Sequence, residues 1–324
     1  TNLAEVLVEQ GAFVYLSIST FIGSMGFGLA TPVLPRLVME LSGTDLAQAA
    51  RWGGLALFVY AVMQFIFSPI LGALSDRYGR RPVLLLSLAA FAIDMLVLAF
   101  VTTIWAFKQV RAYAGIFAAT FSTTNAYVAD VTPRDRRAQR FAWIGASFGA
   151  GFIFGPALGG LLGEIDLRLP FLVGAGLATA NTIFGYFVVS ESLAEHKRRP
   201  FTWSRANTFG TLIRLFRTPG LTVLLPVFFF ATLSSWVYPT VWSYVAIERF
   251  QWGDQAVGLS IAYYGVIAFI SSAVVIQILL PKIGIVRAIC IALSVEAIAL
   301  TGIGLATAGW MVYAMITLAL ISSM

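Results

Sequence analysis

Apolar runs of about 20 residues, separated by short polar loops, constrain this chain more than any other feature. A run of this length crosses the hydrocarbon core of a bilayer as a helix. Of the 324 residues only 11% are charged, whereas soluble domains carry about 25%. The sequence therefore predicts an all-α integral membrane protein. The predicted spans cover residues 12–34, 52–72, 83–103, 106–128, 141–163, 170–189, 221–246, 255–279 and 286–306, with a tenth starting at 309.

The charges of the loops predict on which side of the membrane each loop lies. Basic residues collect in alternate loops, as they do in cytoplasmic loops of membrane proteins, so we expect the N-terminus in the cytoplasm and the protein in the plasma (inner) membrane. The net charge of +6 is explained in this way and implies no nucleic-acid partner. The basic residues of these loops, 15 of the 21 in the chain, are Arg77, Arg80, Arg81, Arg134, Arg136, Arg137, Arg140, Lys197, Arg198, Arg199, Arg205, Arg214, Arg217, Lys282 and Arg287.

Cysteine and histidine are almost absent, which restricts the chemistry. Cys290 is the single cysteine and His196 the single histidine, so the sequence predicts no disulfide, no cysteine or histidine metal centre and no cofactor. The sequence starts at Thr1, and we expect no signal peptide in its first residues. It ends inside the apolar run that opens near Trp310, so we expect a fragment that lacks its carboxyl end.

The longest predicted cytoplasmic loop follows the sixth span. It covers residues 190–220, is basic and polar, and contains Pro200 and Pro219. We therefore expect an N-terminal half at 1–189, a linker at 190–220 and an incomplete second half at 221–324 with helices 7 to 10.

The loop after the second span reads GALSDRYGRRPV, and the physical properties of its residues would fit a gate. Its glycines permit close helix approach and a left-handed turn, and Asp76 is expected to favour the positive end of the next helix dipole. Asp130, at the end of span 4, is the expected partner of the arginines. The alternative is that Arg80 and Arg81 only mark the cytoplasmic side. The gating residues are Gly72, Asp76, Arg77, Gly79, Arg80, Arg81 and Asp130.

The fifth span carries glycines at four-residue spacing. Gly151, Gly155 and Gly159 form one small ridge, followed by Gly160, which would let a neighbouring helix approach closely. Pro156 removes a backbone donor and favours a kink. From the residues alone, ordinary helix packing explains this pattern.

Both motifs resemble those of the major facilitator superfamily. The glycine motif resembles that of its drug/proton antiporter branch, and the whole chain is most similar to the tetracycline/proton efflux proteins. YAVMQFIFSP, GEIDLRLPF and GLSIAYYG support the resemblance. It implies a major facilitator fold of two six-helix repeats, here truncated in helix 10, and a monomer that transports a small-molecule substrate.

Two acids, Asp94 and Glu296, fall in the middle of spans. A charge there is costly, and its usual explanation is a proton or ion site. Arg111 matches the family's buried arginine, although Val110 stands where a glycine is usual. It would couple protonation to conformation, or only snorkel to the outer surface. For Lys108 we favour snorkelling to the outer surface.

The chain departs from the tetracycline pattern at two positions. Ser24 stands where those proteins carry an acid, and Ala268 where several carry a histidine. Both departures argue against a metal–tetracycline chelate as the substrate.

Polar and aromatic side chains within spans are candidates for the substrate cavity. Ser24, Gln64, Trp236 and Tyr263 are assigned to it, although an interhelical hydrogen bond explains Gln64 equally well. For Trp242 and Tyr244, at the outer end of span 7, we favour an interfacial aromatic belt.

The leading function is therefore export of a hydrophobic molecule or drug in exchange for protons by alternating access. Proton-coupled uptake of a metabolite such as a sugar or organic acid is the first alternative. An intramembrane enzyme with an acid pair is the second, and neither acid has a protease-like motif around it.

Overall fold

Helices account for nearly all of the chain that the computed structural model describes, which is residues 3–218, 221–271 and 276–319. These residues include no β-strand, so the all-α prediction is confirmed. A short 3₁₀ helix covers Glu195–Lys197. The α-helices are α1 (Leu3–Ala30), α2 (Leu34–Ser42), α3 (Leu46–Tyr78), α4 (Arg80–Phe100), α5 (Ile104–Ile116), α6 (Thr120–Val131), α7 (Arg137–Ile165), α8 (Leu169–Val188), α9 (Trp203–Ala206), α10 (Thr208–Arg217), α11 (Leu221–Phe250), α12 (Asp254–Ile270), α13 (Ile276–Ile283), α14 (Ile285–Leu305) and α15 (Gly309–Leu318).

Seven of the described helices are long and apolar enough to cross a membrane, and α12 and α15 are shorter apolar helices. The predicted eighth span, 255–279, corresponds to α12 and part of α13 and includes residues 272–275, which lie outside the described residues. The last residues of the predicted tenth span, 320–324, also lie outside them. Since seven described helices can cross a membrane, the chain is a multi-pass membrane protein.

The fourth predicted span is two helices, so the prediction of one continuous helix over 106–128 is wrong. Helix α5 ends at Ile116 and α6 begins at Thr120. Gly115 lies directly against the backbone of Tyr60 in α3. At the break, the Gln64 side-chain amide donates to the carbonyl oxygen of Ala118 at 3.3 Å. A backbone carbonyl that leaves a helix within a membrane protein needs such a partner, so the break is stabilised from α3.

Helix α2 lies between the first two spans and was not predicted. Pro35 stands in its first turn, where a missing backbone N–H costs nothing, and Gly43 ends it with φ of 63°. Leu37 and Val38 are fully buried, so this helix packs onto the bundle.

The most extensive helix packing joins helices that are not consecutive in the chain. In the first half α1 packs on α7 and α8, α4 on α8, and α3 on α5. Helix α7 also packs along α12, and α2 and α3 contact α11, so these pairs join the predicted halves. We call the end of the helices that carries Gly79 the inner end and the opposite end the outer end.

Residues 190–218 contain α9 and α10, and both helices contact α3. The backbone amide of Arg199 donates to the carbonyl oxygen of Asp76 at 3.0 Å, which ties this segment to the end of α3. The division at 189 and 220 stays a prediction.

Candidate functional site

Arg80 is the centre of the loop between α3 and α4. Gly79 has φ of 108°, a left-handed conformation that favours glycine, and it reverses the chain between the two helices. Arg80 then lies with its Nη1 2.7 Å from Oδ1 of Asp76 and its Nε 3.0 Å from Oδ2 of Asp130. One guanidinium therefore joins α3, α4 and α6. A Cβ added at Gly72 would meet no described atom within 4 Å, so the close helix approach expected there is absent from the described residues.

Glu191 occupies the positive helix end that we expected Asp76 to favour. Asp76 instead lies in the last turn of α3. The Glu191 carboxylate accepts from the backbone amides of Arg80 at 2.8 Å and Arg81 at 3.3 Å, where it satisfies free donors at the start of α4. Arg81 also donates from Nη2 to the carbonyl oxygen of Tyr186 at 2.6 Å. The sequence argument missed Glu191 because it follows span 6 in a loop, with no spacing that links it to span 3.

The structure brings Asp94 and Arg111 together. Asp94 lies on α4, is 2% exposed, and its Oδ1 accepts from Arg111 Nη2 on α5. The Arg111 Nε is buried, and it has no hydrogen-bond partner among the residues that the structure describes. The charges compensate each other in a place where either one alone would be costly. One turn outward, the Lys108 ammonium lies 3.4 Å from the centre of the Trp105 ring.

Glu296 has a different environment on α14. It is half-buried and accepts from the Ser235 hydroxyl of α11 at 3.2 Å. Among the described residues, no arginine, lysine or histidine forms an ion pair with it. Because Asp94 and Glu296 have separate partners, the arrangement lacks the proton-sharing contact that an aspartic-protease pair requires.

The four cavity candidates lie in different places. The Ser24 hydroxyl is buried and donates to the carbonyl oxygen of Phe148 at 2.6 Å, so it links α1 to α7. Gln64 covers the break between α5 and α6. The Tyr263 hydroxyl lies 2.7 Å from the Thr317 hydroxyl of α15. Only Trp236 of the four is exposed.

The Trp236 ring, which is 48% exposed, lies edge-on to Phe27 of α1 with ring centres 6.4 Å apart. This contact places an aromatic side chain of the second half against the first half.

The interfacial belt expected for Trp242 and Tyr244 is wrong. Trp242 is 2% exposed, its Nε1 donates to the Ser260 hydroxyl at 2.8 Å, and its ring stacks on Tyr238 at 5.2 Å. Tyr244 is buried with its hydroxyl against Gly53 of α3. Both rings face protein because neighbouring helices cover this side of α11, which the sequence of one helix does not reveal.

The glycine ridge of α7 packs against α1. Cβ atoms added at Gly151, Gly155 or Gly159 would meet the α1 backbone between Phe21 and Leu29. This is the close helix approach that small residues permit.

The adjacent face of α7 packs against α12 of the second half. Gly160 lies against the backbone of Asp254, and the Pro156 carbonyl lies against Gly258. The motif therefore serves two helix pairs, one of them between the halves.

Polar contacts close the outer end between the halves. Arg36 of α2 forms an ion pair with Asp254, in which Nη1 of the arginine is 2.7 Å from Oδ2 of the aspartate. The Asp254 side chain is fully buried. The Ser243 hydroxyl donates to the carbonyl oxygen of Thr31 at 3.1 Å. Sequence reasoning missed this ion pair, because its members are far apart in the chain and only the approach of α2 to α12 joins them.

Comparison with known proteins agrees with this arrangement. The sequence profile of the Major Facilitator Superfamily matches residues 16–324. The chain belongs to the Major Facilitator Superfamily.

This major facilitator protein is 36% identical to the class C tetracycline resistance protein of Escherichia coli over 311 residues, covering 94% of this chain and 76% of the relative. It is 38% identical to the class D tetracycline resistance protein of Salmonella ordonez, covering 92% of this chain and 75% of the relative. The similarity to tetracycline resistance proteins inferred from the motifs is confirmed.

Among solved structures, this major facilitator protein superposes on the nucleoside transporter NupG with a TM-score of 0.77 at 12% identity, over 96% of this chain and 79% of that one. At this identity the likeness concerns the fold alone, and it confirms the major facilitator fold.

Proposed function

We propose that this chain is a secondary transporter that exports a hydrophobic small molecule or drug in exchange for protons. Its membership of the Major Facilitator Superfamily and its identity of 34–38% to tetracycline resistance proteins support a drug exporter. Loop charges support an inner-membrane protein with a cytoplasmic N-terminus. We also propose that the protein works as a monomer, without a cofactor, a nucleic-acid partner or catalysis of a chemical reaction.

The observation that carries the proton coupling is the buried pair of Asp94 and Arg111. When Asp94 is charged, Arg111 Nη2 holds it and joins α4 to α5. A proton on Asp94 removes the attraction and leaves the arginine to find another partner. Protonation thus changes which contacts stabilise these two helices, and this is the coupling that a proton-driven transporter needs.

The contacts between the halves support alternating access. Arg36 with Asp254, Thr31 with Ser243, and α7 with α12 join the halves from the outer end inward. An arrangement with these contacts formed is an outward-closed state. Rocking the halves about a central site would break them and form contacts at the inner end, where Arg80 and Asp130 lie.

The residues also restrict the substrate. The metal–tetracycline chelate is a poor candidate, because Ser24 and Ala268 replace an acid and a histidine of the related pattern. Trp236, exposed beside Phe27, favours a molecule with a flat apolar body.

Efflux from proteoliposomes under an imposed proton gradient tests this proposal. Wild-type protein is expected to move a fluorescent hydrophobic drug against its gradient, and Asp94→Asn is expected to abolish gradient-driven transport. Asp135→Asn is the matched control, because Asp135 lies in a loop with 76% of its side chain exposed. Drug movement in the same direction as the protons would support uptake by symport instead, and transport indifferent to the gradient and to Asp94→Asn would overturn proton coupling.

A further inference from the structure

Pro69 leaves a backbone carbonyl without its usual partner inside α3. Proline has no backbone N–H, so the carbonyl oxygen of Phe65, one turn earlier, cannot receive the usual hydrogen bond of an α-helix. In a membrane-spanning helix such a group needs another donor. The Thr208 hydroxyl, at the start of α10, donates to this oxygen at 3.2 Å.

The Thr208 hydroxyl can make this contact because another residue caps its helix. The Asn207 side chain accepts from the backbone amide of Gly210 at 3.0 Å and so serves as the cap of α10. Other hydroxyls bond within their own helix, as Thr182 does with the carbonyl oxygen of Ala178. The Thr208 contact instead joins two segments that are 143 residues apart in the chain.

The segment before α10 runs along α3 from its inner end to this point. The backbone amide of Arg199 donates to the carbonyl oxygen of Asp76 at 3.0 Å, and Thr208 reaches Phe65. Asp76 and Phe65 are about 16 Å apart along the helix, at a rise of about 1.5 Å per residue. The ring of Phe209 lies edge-on to that of Phe65 with ring centres 5.8 Å apart. Residues 199–217, which we call the strap, therefore lie against a span of the first half.

The strap also contacts the second half. Helix α10 contacts α11 as well as α3, and only residues 218–220 separate it from α11 in the chain. We therefore expect α10 to move with α11. At the outer end α3 and α11 meet directly, with the Tyr244 hydroxyl against Gly53. Rocking the halves would separate these outer ends and shift α10 relative to Phe65, so the Thr208 contact depends on the state of the transporter.

We propose that the strap stabilises the outward-closed state by docking on the carbonyl oxygen of Phe65. The inference rests on the alternating access of the proposed function and specifies how the equilibrium between its states is set. In the outward-closed state Thr208 satisfies the carbonyl that Pro69 frees. When the halves rock, α10 leaves with α11 and this carbonyl loses its donor. Pro69 is therefore as necessary to the preference for the closed state as Thr208.

A double-mutant cycle between Thr208 and Pro69 tests the strap. Nitroxide labels on Ala47→Cys and Glu248→Cys occupy exposed positions at the outer ends of α3 and α11, and Cys290→Ser removes the native thiol. Double electron–electron resonance on the full chain in nanodiscs then measures the populations of the outward-open and outward-closed states from the distance between the labels.

The two single variants and the double variant should give the same result. Thr208→Val removes the donor, and Pro69→Ala supplies a backbone N–H that satisfies the carbonyl in both states. Each should raise the ratio of the outward-open to the outward-closed population about fivefold, as loss of one hydrogen bond does. Both changes together should also give about fivefold rather than about 25-fold, because they remove the same preference.

Two further variants show whether the hydroxyl itself is responsible. Thr208→Ser keeps the donor and should retain the population ratio of the parent protein. Thr202→Val changes an exposed threonine of the linker that precedes α9, and it should also leave the ratio unchanged. Hydrogen exchange gives a second readout: the backbone amides of α10 should exchange about fivefold faster in Thr208→Val, because the docked population falls, and at the parent rate in Thr202→Val.

The outcomes separate the strap from the proposed function. Additive effects of Thr208→Val and Pro69→Ala, or an unchanged population ratio in Thr208→Val, would overturn the strap even if gradient-driven efflux sensitive to Asp94→Asn persists. Equal and non-additive effects without any gradient-driven efflux would retain the strap and overturn the antiport function.

Discussion

Removing the charge of Asp254 should open the outer end of the protein. Its carboxylate is fully buried, whereas the side chain of its partner Arg36 is 49% exposed. Breaking a buried pair by removing one partner costs about 3–5 kcal/mol, and exposed pairs contribute about 0–1 kcal/mol. For this pair, in which one member is half-exposed, we take a contribution of about 2 kcal/mol to the outward-closed state. Asp254→Asn should therefore shift the equilibrium between the closed and open states about 30-fold toward the outward-open state.

A reporter cysteine at position 243 can measure this shift. Ser243 is buried and its hydroxyl donates to Thr31 of the other half, and Cys290→Ser removes the native thiol. In nanodiscs, the rate at which a maleimide labels Ser243→Cys should rise about 30-fold when Asp254→Asn is added, because a thiol buried between the halves reacts only from the open state. An unchanged labelling rate would refute the argument.

Two controls distinguish opening from general damage. Glu40→Gln breaks another outer ion pair, in which Arg168 Nη2 lies 2.6 Å from Glu40 Oε1, but both partners belong to the first half. It is expected to leave the labelling rate unchanged. A second reporter, Leu84→Cys, is buried within the first half and should label slowly in every variant. Faster labelling of this reporter would indicate unfolding.

Two further predictions concern the first half. Gly155→Val should lower the melting temperature in detergent, because the valine side chain would meet the α1 backbone near Met25 and overpacking costs about 1–3 kcal/mol. Gly149→Val, on the same helix, has open space around it and should lower the melting temperature less. Equal losses would contradict close packing as the cause. Glu191→Gln should weaken the charge-assisted hydrogen bonds at the start of α4 by about 1 kcal/mol and speed hydrogen exchange of the backbone amides of residues 80 and 81. Glu195→Gln changes an exposed side chain and should leave the exchange of these amides unchanged. Unchanged exchange in Glu191→Gln would argue against the Glu191 contact.

The sequence predicted the membrane class and most of the span positions. Hydropathy over about 20 residues is a local property, so the ends of α4, α7, α8 and α14 lie within a few residues of the predicted spans at most of their boundaries. It missed the break between α5 and α6, because the groups that stabilise that break, Gln64 and Tyr60, belong to α3.

For the candidate site, the sequence by itself determined which residue types stand in unusual surroundings. Asp94 and Glu296 are acids within apolar runs, and Arg80 follows a glycine in a basic loop, so each was recognisable without coordinates. Only the tertiary structure decided the partners of the two acids, which are Arg111 for Asp94 and a serine hydroxyl for Glu296. It also revealed the ion pair of Arg36 with Asp254, which the sequence did not indicate. The physical reason is that the cost of a charge depends on what lies within a few ångströms of it, and this is set by which helices approach one another rather than by spacing along any one of them.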